Sequence, residues 1–470
     1  MLNIHNKSLV LALLAFAQLI IAIDYTIVFV AVPDIGRELG FAAHNLQWVV
    51  SGYAVAFGGF LLLGGRMSDL LGRRRMFTLG LFLYGVSSLA GGFATSPELL
   101  VGARAVQGFG GAVLAPAVLS LIGTLFAEGR ERNRAFSIWG AAGGSGMALG
   151  SLLGGVLTQS FGWPAVFFVN VPLAAVGVVA GLLLIPTDAS ARSDRRFDVP
   201  GAVTATAGIT SIVFALVQGP ATGWSGLSVP AAVVGVVLLA VFALIEIRSA
   251  DPLMPLRLLG IRNLRTGVAV ITLFAATFGP LLYFETVYFQ DVHGYSALQT
   301  GLAYLVPTVA IFVGANLGGR LATRFGLHLT LAISLGVGAV GTALLGFGLS
   351  TSASYAVLIP GLLILGLGQG SSFTIMYAAA STGVANEYQG IGSGMASTGQ
   401  QIGNAVGLAI LVAIANQGVD GLTGDALRTA TTHGLRVAVL LTAGGIILTA
   451  ALALTARKTP APALVDAVSN

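Results

Sequence analysis

Long apolar runs separated by short polar loops recur along the whole chain of 470 residues. A run of about 18 or more apolar residues is long enough to cross a bilayer as a helix. Fourteen are present, at 8–32, 47–66, 76–95, 98–123, 134–157, 163–185, 199–218, 228–247, 266–289, 300–321, 327–349, 354–379, 391–415 and 434–455. Strands of a membrane barrel would give segments of about 10 residues with apolar residues at every second position. These runs are about twice as long and apolar on all sides, so the pattern predicts helices. The first run is too long for a cleaved signal peptide, contains Asp24, and is followed by thirteen more.

The runs group as six, two and six. Residues 1–185 hold one six-helix bundle, 186–265 form a linker with two inserted spans, and 266–470 hold a second six-helix bundle with a short tail. A repeated segment supports a duplication. Gly65-Arg66-Met67-Ser68-Asp69-Leu70-Leu71-Gly72 follows the second span, and Gly319-Arg320-Leu321-Ala322-Thr323-Arg324-Phe325-Gly326 follows the tenth. The reading is an all-α membrane protein of repeated halves, the usual architecture of secondary transporters.

Charge sets the orientation. With the N-terminus inside, 19 Lys and Arg fall on the inner side and 3 on the outer, with Arg104 inside a span. The inner set includes Arg192, Arg195 and Arg196 of the linker and Arg457 and Lys458 of the tail. That asymmetry predicts cytoplasmic termini and a multi-pass protein of the cell membrane.

Composition narrows the function. Only 9% of residues are charged and 56% are hydrophobic, against about 25% charged in soluble proteins. That excludes a soluble enzyme and a nucleic-acid-binding module. The 65 glycines show no collagen period and suit close helix packing in lipid. No cysteine is present, and no pair of the five histidines has metal-ligand spacing, so no metal or other cofactor is expected. There is no phosphate-binding G-x-x-x-x-G-K-[ST] loop, and energy would come from an ion gradient or from the solute.

Five constellations carry chemistry. Gly65, Asp69, Gly72, Arg73, Arg74 and Arg75 read as a short cytoplasmic turn. Asp69 there can pair with the arginines or face a helix N-terminus. The loop after the twelfth span has no Lys or Arg and one acid, Glu387, which makes it a docking surface for that turn. Arg104, with Gln107, opens the fourth span. A guanidinium in a span costs at least about 2.5–3.5 kcal/mol and needs a wet cavity or a partner, unless it snorkels to the outer headgroups. Gly146, Gly150 and Gly154, with Gly155, place small residues on one face of the fifth span for close approach of another backbone. Asp24, followed by Tyr25, lies within the first span at a depth like that of Arg104. It can exchange a proton or form a structural ion pair, and a neighbouring arginine would tune the exchange. Glu285 sits among Tyr283, Phe284 and Tyr288 near the outer end of its span. It would bind a proton or a cation through charge and ring faces, or belong to an interfacial aromatic belt. Glu246, beside Arg248, reads as an interfacial residue. Tyr25, Gln107, Tyr283, Phe284 and Tyr288 are the candidates to line a substrate cavity. Gln400, Gln401 and Asn404 are polar groups in the thirteenth span that can join helices by hydrogen bonds.

These residues resemble the major facilitator superfamily, in particular its fourteen-helix drug:proton antiporters, over nearly the whole chain. The resemblance rests on Ile23 to Val28 with Ala31-Val32-Pro33, Trp48 to Tyr53, Gly65 to Arg74, Arg104 to Gly108, Gly146 to Gly155, the group Trp163, Phe167, Asn170 and Pro172, and Phe197-Asp198 with Gly201. It implies two bundles rocking about a central cavity, gating at Gly65 to Arg74 and proton transfer at Arg104. It further implies exchange of protons for a small amphiphilic substrate, cationic ones included. The chain departs from the pattern at Ser151, where the antiporter motif has proline, and at Gln400, where related chains often carry arginine.

The expected protein is therefore a monomeric exporter whose partners are membrane lipid, protons and its substrate, with no nucleic acid. The rival readings are a proton-coupled importer or facilitator of a nutrient and a membrane sensor without transport. Reporter fusions at residues 190 and 223 should read inside and outside the cell respectively. The reverse pattern, or one side for both, removes the inserted pair from the topology.

Overall fold

The structure is a computed structural model and describes residues 4–41, 46, 48–187, 198–222, 224–249, 252–419 and 422–455. Arg192, Arg195, Arg196, Phe197, Arg457 and Lys458, and the reporter positions 190 and 223, lie outside the described residues. The regular elements among the described residues are all helical. They form α1 (Ile4–Leu39), α2 (Trp48–Leu71), α3 (Arg73–Gly92), α4 (Pro97–Leu125), α5 (Arg130–Phe161), α6 (Ala165–Leu184), α7 (Val199–Thr222) and α8 (Ser228–Arg248). The second half continues with α9 (Arg262–Val292), α10 (Gln299–Phe325), α11 (Leu327–Gly348), α12 (Tyr355–Ser381), α13 (Gln389–Ala415) and α14 (Gly424–Thr455). Thirteen are both long and apolar enough to span a bilayer. The remaining one, α3, has 20 residues, about 30 Å at helical rise. It falls short in apolarity because it opens on three arginines and carries serines and glycines.

Several boundaries differ from the sequence reading, each for a local reason. Gly65 to Leu71 is not a loop but the last turns of α2. A single residue, Gly72 at φ 102°, separates it from α3, so Arg73 to Arg75 form a helical first turn. A positive φ at this point is open to glycine at no steric cost. The same break recurs in the second half, where Gly326 at φ 87° separates α10 from α11. Helix α1 continues to Leu39, and α14 starts at Gly424, ten residues before its apolar run. Helix α9 breaks at Gly279-Pro280, where proline lacks the N–H that would continue the ladder. It resumes over Leu281–Val287 and ends in a π turn, Tyr288–Val292.

The packing repeats between halves. In the first six helices α1 lies on α5, α2 on α4, and α3 on both α4 and α6. In the last six α9 lies on α13, α10 on α12, and α11 on both α12 and α14. The halves meet along two matching seams, α2 with α13 and α10 with α5. Helices α7 and α8 pair with each other, and α7 also touches α2 and α13. Leu62, Ala205, Ile209, Phe242, Leu264, Ile391 and Met395 form one apolar cluster that ties this pair to both halves.

Glu246 is a correction. It is buried rather than interfacial, because the chain turns back after α8 and the N–H groups of Leu253 and Met254 donate to its carboxylate at 3.0 and 2.9 Å.

The glycines of α5 fit their place against α1. A side-chain carbon at Gly150 would lie 2.5 Å from the Ile23 carbonyl oxygen, one at Gly154 2.8 Å from that of Ile27, and one at Gly146 2.8 Å from that of Leu19. Nothing lies within 4 Å at Gly155, which is not part of the seam. Gly150→Val should therefore destabilise the protein by about 1–3 kcal/mol through overpacking, read as a fall in thermal midpoint in detergent. Gly155→Ala should leave the midpoint unchanged; equal falls in both variants would remove the contact from the account.

Candidate functional site

The glycine contact holds the stretch of α1 that carries Asp24. Asp24 and Arg104 are 0% and 2% exposed, and Arg104 Nη1 reaches Asp24 Oδ2 at 2.8 Å. Gln107 Nε2 and Asn170 Nδ2 donate to Asp24 Oδ1 at 2.8 and 2.9 Å. Both carboxyl oxygens therefore accept from N–H donors. Arg104 also donates through Nε to the Val49 carbonyl at 3.0 Å and through Nη1 to Gln107 Oε1 at 2.6 Å. Its guanidinium carbon stands 4.6 Å from the centre of the Tyr53 ring. Gln107 closes the network by donating to Ser88 Oγ at 2.9 Å. The network draws on α1, α2, α3, α4 and α6 and is confined to the first half.

This geometry decides one open alternative. Arg104 does not snorkel, because its donors are held by protein. Removing one partner of such a buried pair strands the other charge and costs about 3–5 kcal/mol. Around the cage, Asn170 Oδ1 is buried without a hydrogen-bond partner among the described residues, and the hydroxyls of Tyr53 and Tyr84 meet each other. Their oxygens are acceptor positions for a rearranged network or for water.

The second site lies at the arginine-rich end, on the α2–α13 seam. The Asp69 carboxylate is fully buried and accepts from the backbone N–H groups of Gly390 and Ile391, each at 2.8 Å. These belong to the first turn of α13, where N–H groups have no partner within the helix and the dipole favours an anion. Arg73 bridges the same contact. Its Nη2 lies 3.4 Å from Asp69 Oδ1 and donates to the Asn386 carbonyl, and its Nε donates to Ser120 Oγ at 2.7 Å. Arg74 points elsewhere and donates to the Leu182 carbonyl near the end of α6. Glu128 Oε1 accepts from Gly383 N at 3.2 Å, adding a further tie to the turn between α12 and α13. A cavity of about 10 Å³, room for roughly one water, remains beside these contacts between Phe136, Tyr377, Gln389 and Ser393. This end is closed.

The remaining sequence candidates are dispersed. Glu285 is 9% exposed and makes no hydrogen bond or ion pair among the described residues. Phe284 and Tyr288 beside it are packed in the core, and Tyr288 Oη donates to the Ser350 carbonyl at 2.8 Å. Tyr25 and Tyr283 are 41% and 45% exposed. The sequence reading missed a ring cluster of Trp139, Phe373 and Tyr377 between α5 and α12. A tryptophan nine residues into a spanning helix, away from either interface, was the available signal.

A family model described as Major Facilitator Superfamily matches residues 14–408. The chain belongs to this superfamily. It is a multi-pass membrane transporter, not an enzyme. Among its relatives, the puromycin resistance protein pur8 of Streptomyces alboniger is 37% identical over 94% of this chain and 90% of its own length. The cephamycin export protein CmcT of Amycolatopsis lactamdurans is 36% identical over 96% of this chain and 93% of its own. Of solved structures, the superfamily's proton:xylose symporter XylE, bound to 6-bromo-6-deoxy-D-glucose, is 14% identical. It covers 97% of this chain and 96% of its own with a TM-score of 0.71, a likeness of fold.

The seam contact is directly testable, since the chain has no native cysteine. A single cysteine at Ser393, which is buried, should be labelled slowly by a thiol reagent in the otherwise native protein. Adding Asp69→Ala should raise that rate several-fold. An unchanged rate would mean that the carboxylate does not hold this end shut.

Proposed function

We propose that this transporter is a proton-coupled antiporter that exports small amphiphilic compounds, cationic ones included, across the cell membrane, with both termini in the cytoplasm. The names of its relatives, given for puromycin resistance and cephamycin export, support the direction of transport. The observation that carries the coupling is the buried carboxylate of Asp24, caged by Arg104, Gln107 and Asn170. The working units are the bundles 1–185 and 266–470, joined by 186–265, and the chain acts as a monomer.

In this cycle the present arrangement has its cytoplasmic end shut by Asp69 and Arg73. When the cage gains access to the outside, a proton binds Asp24 and loosens its hold on Arg104, whose donors turn to the acceptor oxygens of Tyr53, Tyr84 or Asn170. Release of the proton to the inside restores the ion pair and favours substrate loading. Proton and substrate then stabilise different states of one protein, which is sufficient for exchange. Glu285, buried in the other half and without a polar partner among the described residues, is the reserve carboxylate for a dicationic substrate. Tyr25, Gln107 and Tyr283 are proposed to meet substrate, and Phe284 and Tyr288 to reach it only after α9 moves at its Gly279-Pro280 break. Gly146, Gly150 and Gly154 keep α5 on the Asp24 segment throughout. An importer would use the same parts in reverse, and nothing in the cage favours it.

Asp24→Asn should abolish proton-driven efflux while retaining part of the substrate binding. Arg104→Ala should change the pH dependence of transport, because Asp24 loses the cation that its proton displaces. The deciding measurement is substrate-induced proton release from purified protein in weakly buffered detergent solution. Release that persists undiminished in Asp24→Asn would make Asp24 structural and pass the role to Glu285.

A further inference from the structure

The seam between the halves contains a second feature that the ion cage and the gate do not use. Trp139 of α5 and Phe373 of α12 are stacked with ring centres 5.3 Å apart and planes 9° apart. Tyr377 closes the cluster edge-on, 5.1 Å from Trp139 and 5.5 Å from Phe373. Its hydroxyl donates to Gln400 Oε1 of α13 at 2.6 Å. Trp139 is 4% exposed, and its indole N–H is buried with no hydrogen-bond partner among the described residues. An indole N–H in such a place normally finds an acceptor.

Position makes this orphan donor informative. Trp139 lies nine residues from the start of α5, and Phe373 eight from the end of α12, so both stand about 12–14 Å in from the arginine-rich end at helical rise. Helix α5 belongs to the first half and α12 to the second, so the stack has to part when this end opens. Parting frees one flat ring face on Trp139, an N–H donor at its edge, and the polar face of α13 that carries Ser397, Gln400, Gln401 and Asn404 at helical spacing. Among the described residues, the ring and hydrogen-bond partners of Trp139, Phe373 and Tyr377 are all uncharged.

We infer that Trp139, Tyr377 and Gln400 form the loading subsite for a flat, uncharged aromatic group bearing a hydrogen-bond acceptor, and that Phe373 occupies the ligand's place on Trp139 while the inner end is closed. The ligand ring replaces Phe373 in the stack, and its acceptor takes the indole N–H. This rests on the exporter reading for direction, since loading then occurs from the inner side, but its ring chemistry is separate from the Asp24 cage.

The test uses the full-length protein in lipid nanodiscs and equilibrium dialysis against empty nanodiscs. The probes are acridone (flat, neutral, with a carbonyl acceptor), anthracene (the same outline without an acceptor) and ethidium (a flat cation). Wild type should retain acridone better than anthracene. Trp139→Phe, which keeps a ring and removes the N–H, should weaken acridone about fivefold, one lost hydrogen bond, and leave anthracene and ethidium within about twofold on the same scale. Phe373→Leu removes the internal competitor and should tighten acridone binding, where a merely structural role for the stack would weaken it. Acridone bound by Trp139→Phe as by wild type, or all three probes weakened together, would overturn the inference. Efflux of ethidium from cells reports on the exporter reading alone, so failure there leaves the binding result to decide the subsite.

Discussion

A charge placed inside an apolar span has no water to turn to, and its partners must come from the protein. Asp24 and Arg104 are each expensive alone, and together they become tolerable because Gln107, Asn170 and Val49 supply further hydrogen bonds to them and Ser88 anchors Gln107. That requirement fixes much of the first half. Five helices have to converge on one carboxylate and one guanidinium, and α1 can approach closely enough only because α5 presents glycines to it at positions 146, 150 and 154. The ion site and the glycine stripe are thus one construction.

Confinement of the cage to the first half has a mechanical consequence. Rocking two bundles past each other leaves every bond around Asp24 intact, so rigid motion alone cannot load or unload it. In the proposed cycle the change has to begin at the proton and pass outward through a shared element. Helix α2 is the element in common. Near one end Val49 and Tyr53 touch Arg104, and near the other Gly65 and Asp69 meet α13.

The architecture was legible in the sequence because the signals were long and redundant. Fourteen apolar runs, a lopsided arginine count and a repeated G-R-x-x-x-x-x-G segment each lead to the same pair of bundles. Asp24, Arg104 and Gln107 were legible as chemistry because charge is rare in these spans. The errors were local. Arginines at 73 to 75 read as loop, although helix backbone satisfies itself whatever side chains it carries. Glu246 read as interfacial because its burial depends on N–H groups seven and eight residues later, beyond any helical period. Trp139 stood out as a tryptophan well inside a span, but its stack was not legible, because an aromatic residue in an apolar run carries no sign of which face it takes or what lies across the seam.

The two seams are related by the duplication but not equal in chemistry. Gly65 packs on Gly390 and Gly394 of α13, and Gly319 packs on Asn133 and Ser137 of α5. Four residues on, however, the first seam has Asp69 and the second has Thr323, whose hydroxyl meets Asn133 Nδ2 at only 3.4 Å. Opening the arginine-rich end therefore breaks the charged contacts of Asp69, Arg73 and Glu128 with the α12–α13 turn and the start of α13, against one weak neutral contact on the second seam, and the charged set provides the resistance. Undocking does not strand the Asp69 carboxylate, because Arg73, four residues on across the Gly72 break, belongs to the same half and remains within reach. A gate built this way is firm when closed, since the anion sits on free N–H groups at a helix start, yet it can open without leaving an unpaired charge in an apolar seam. The neutral seam carries no such hold, so it can slide while the charged one decides when.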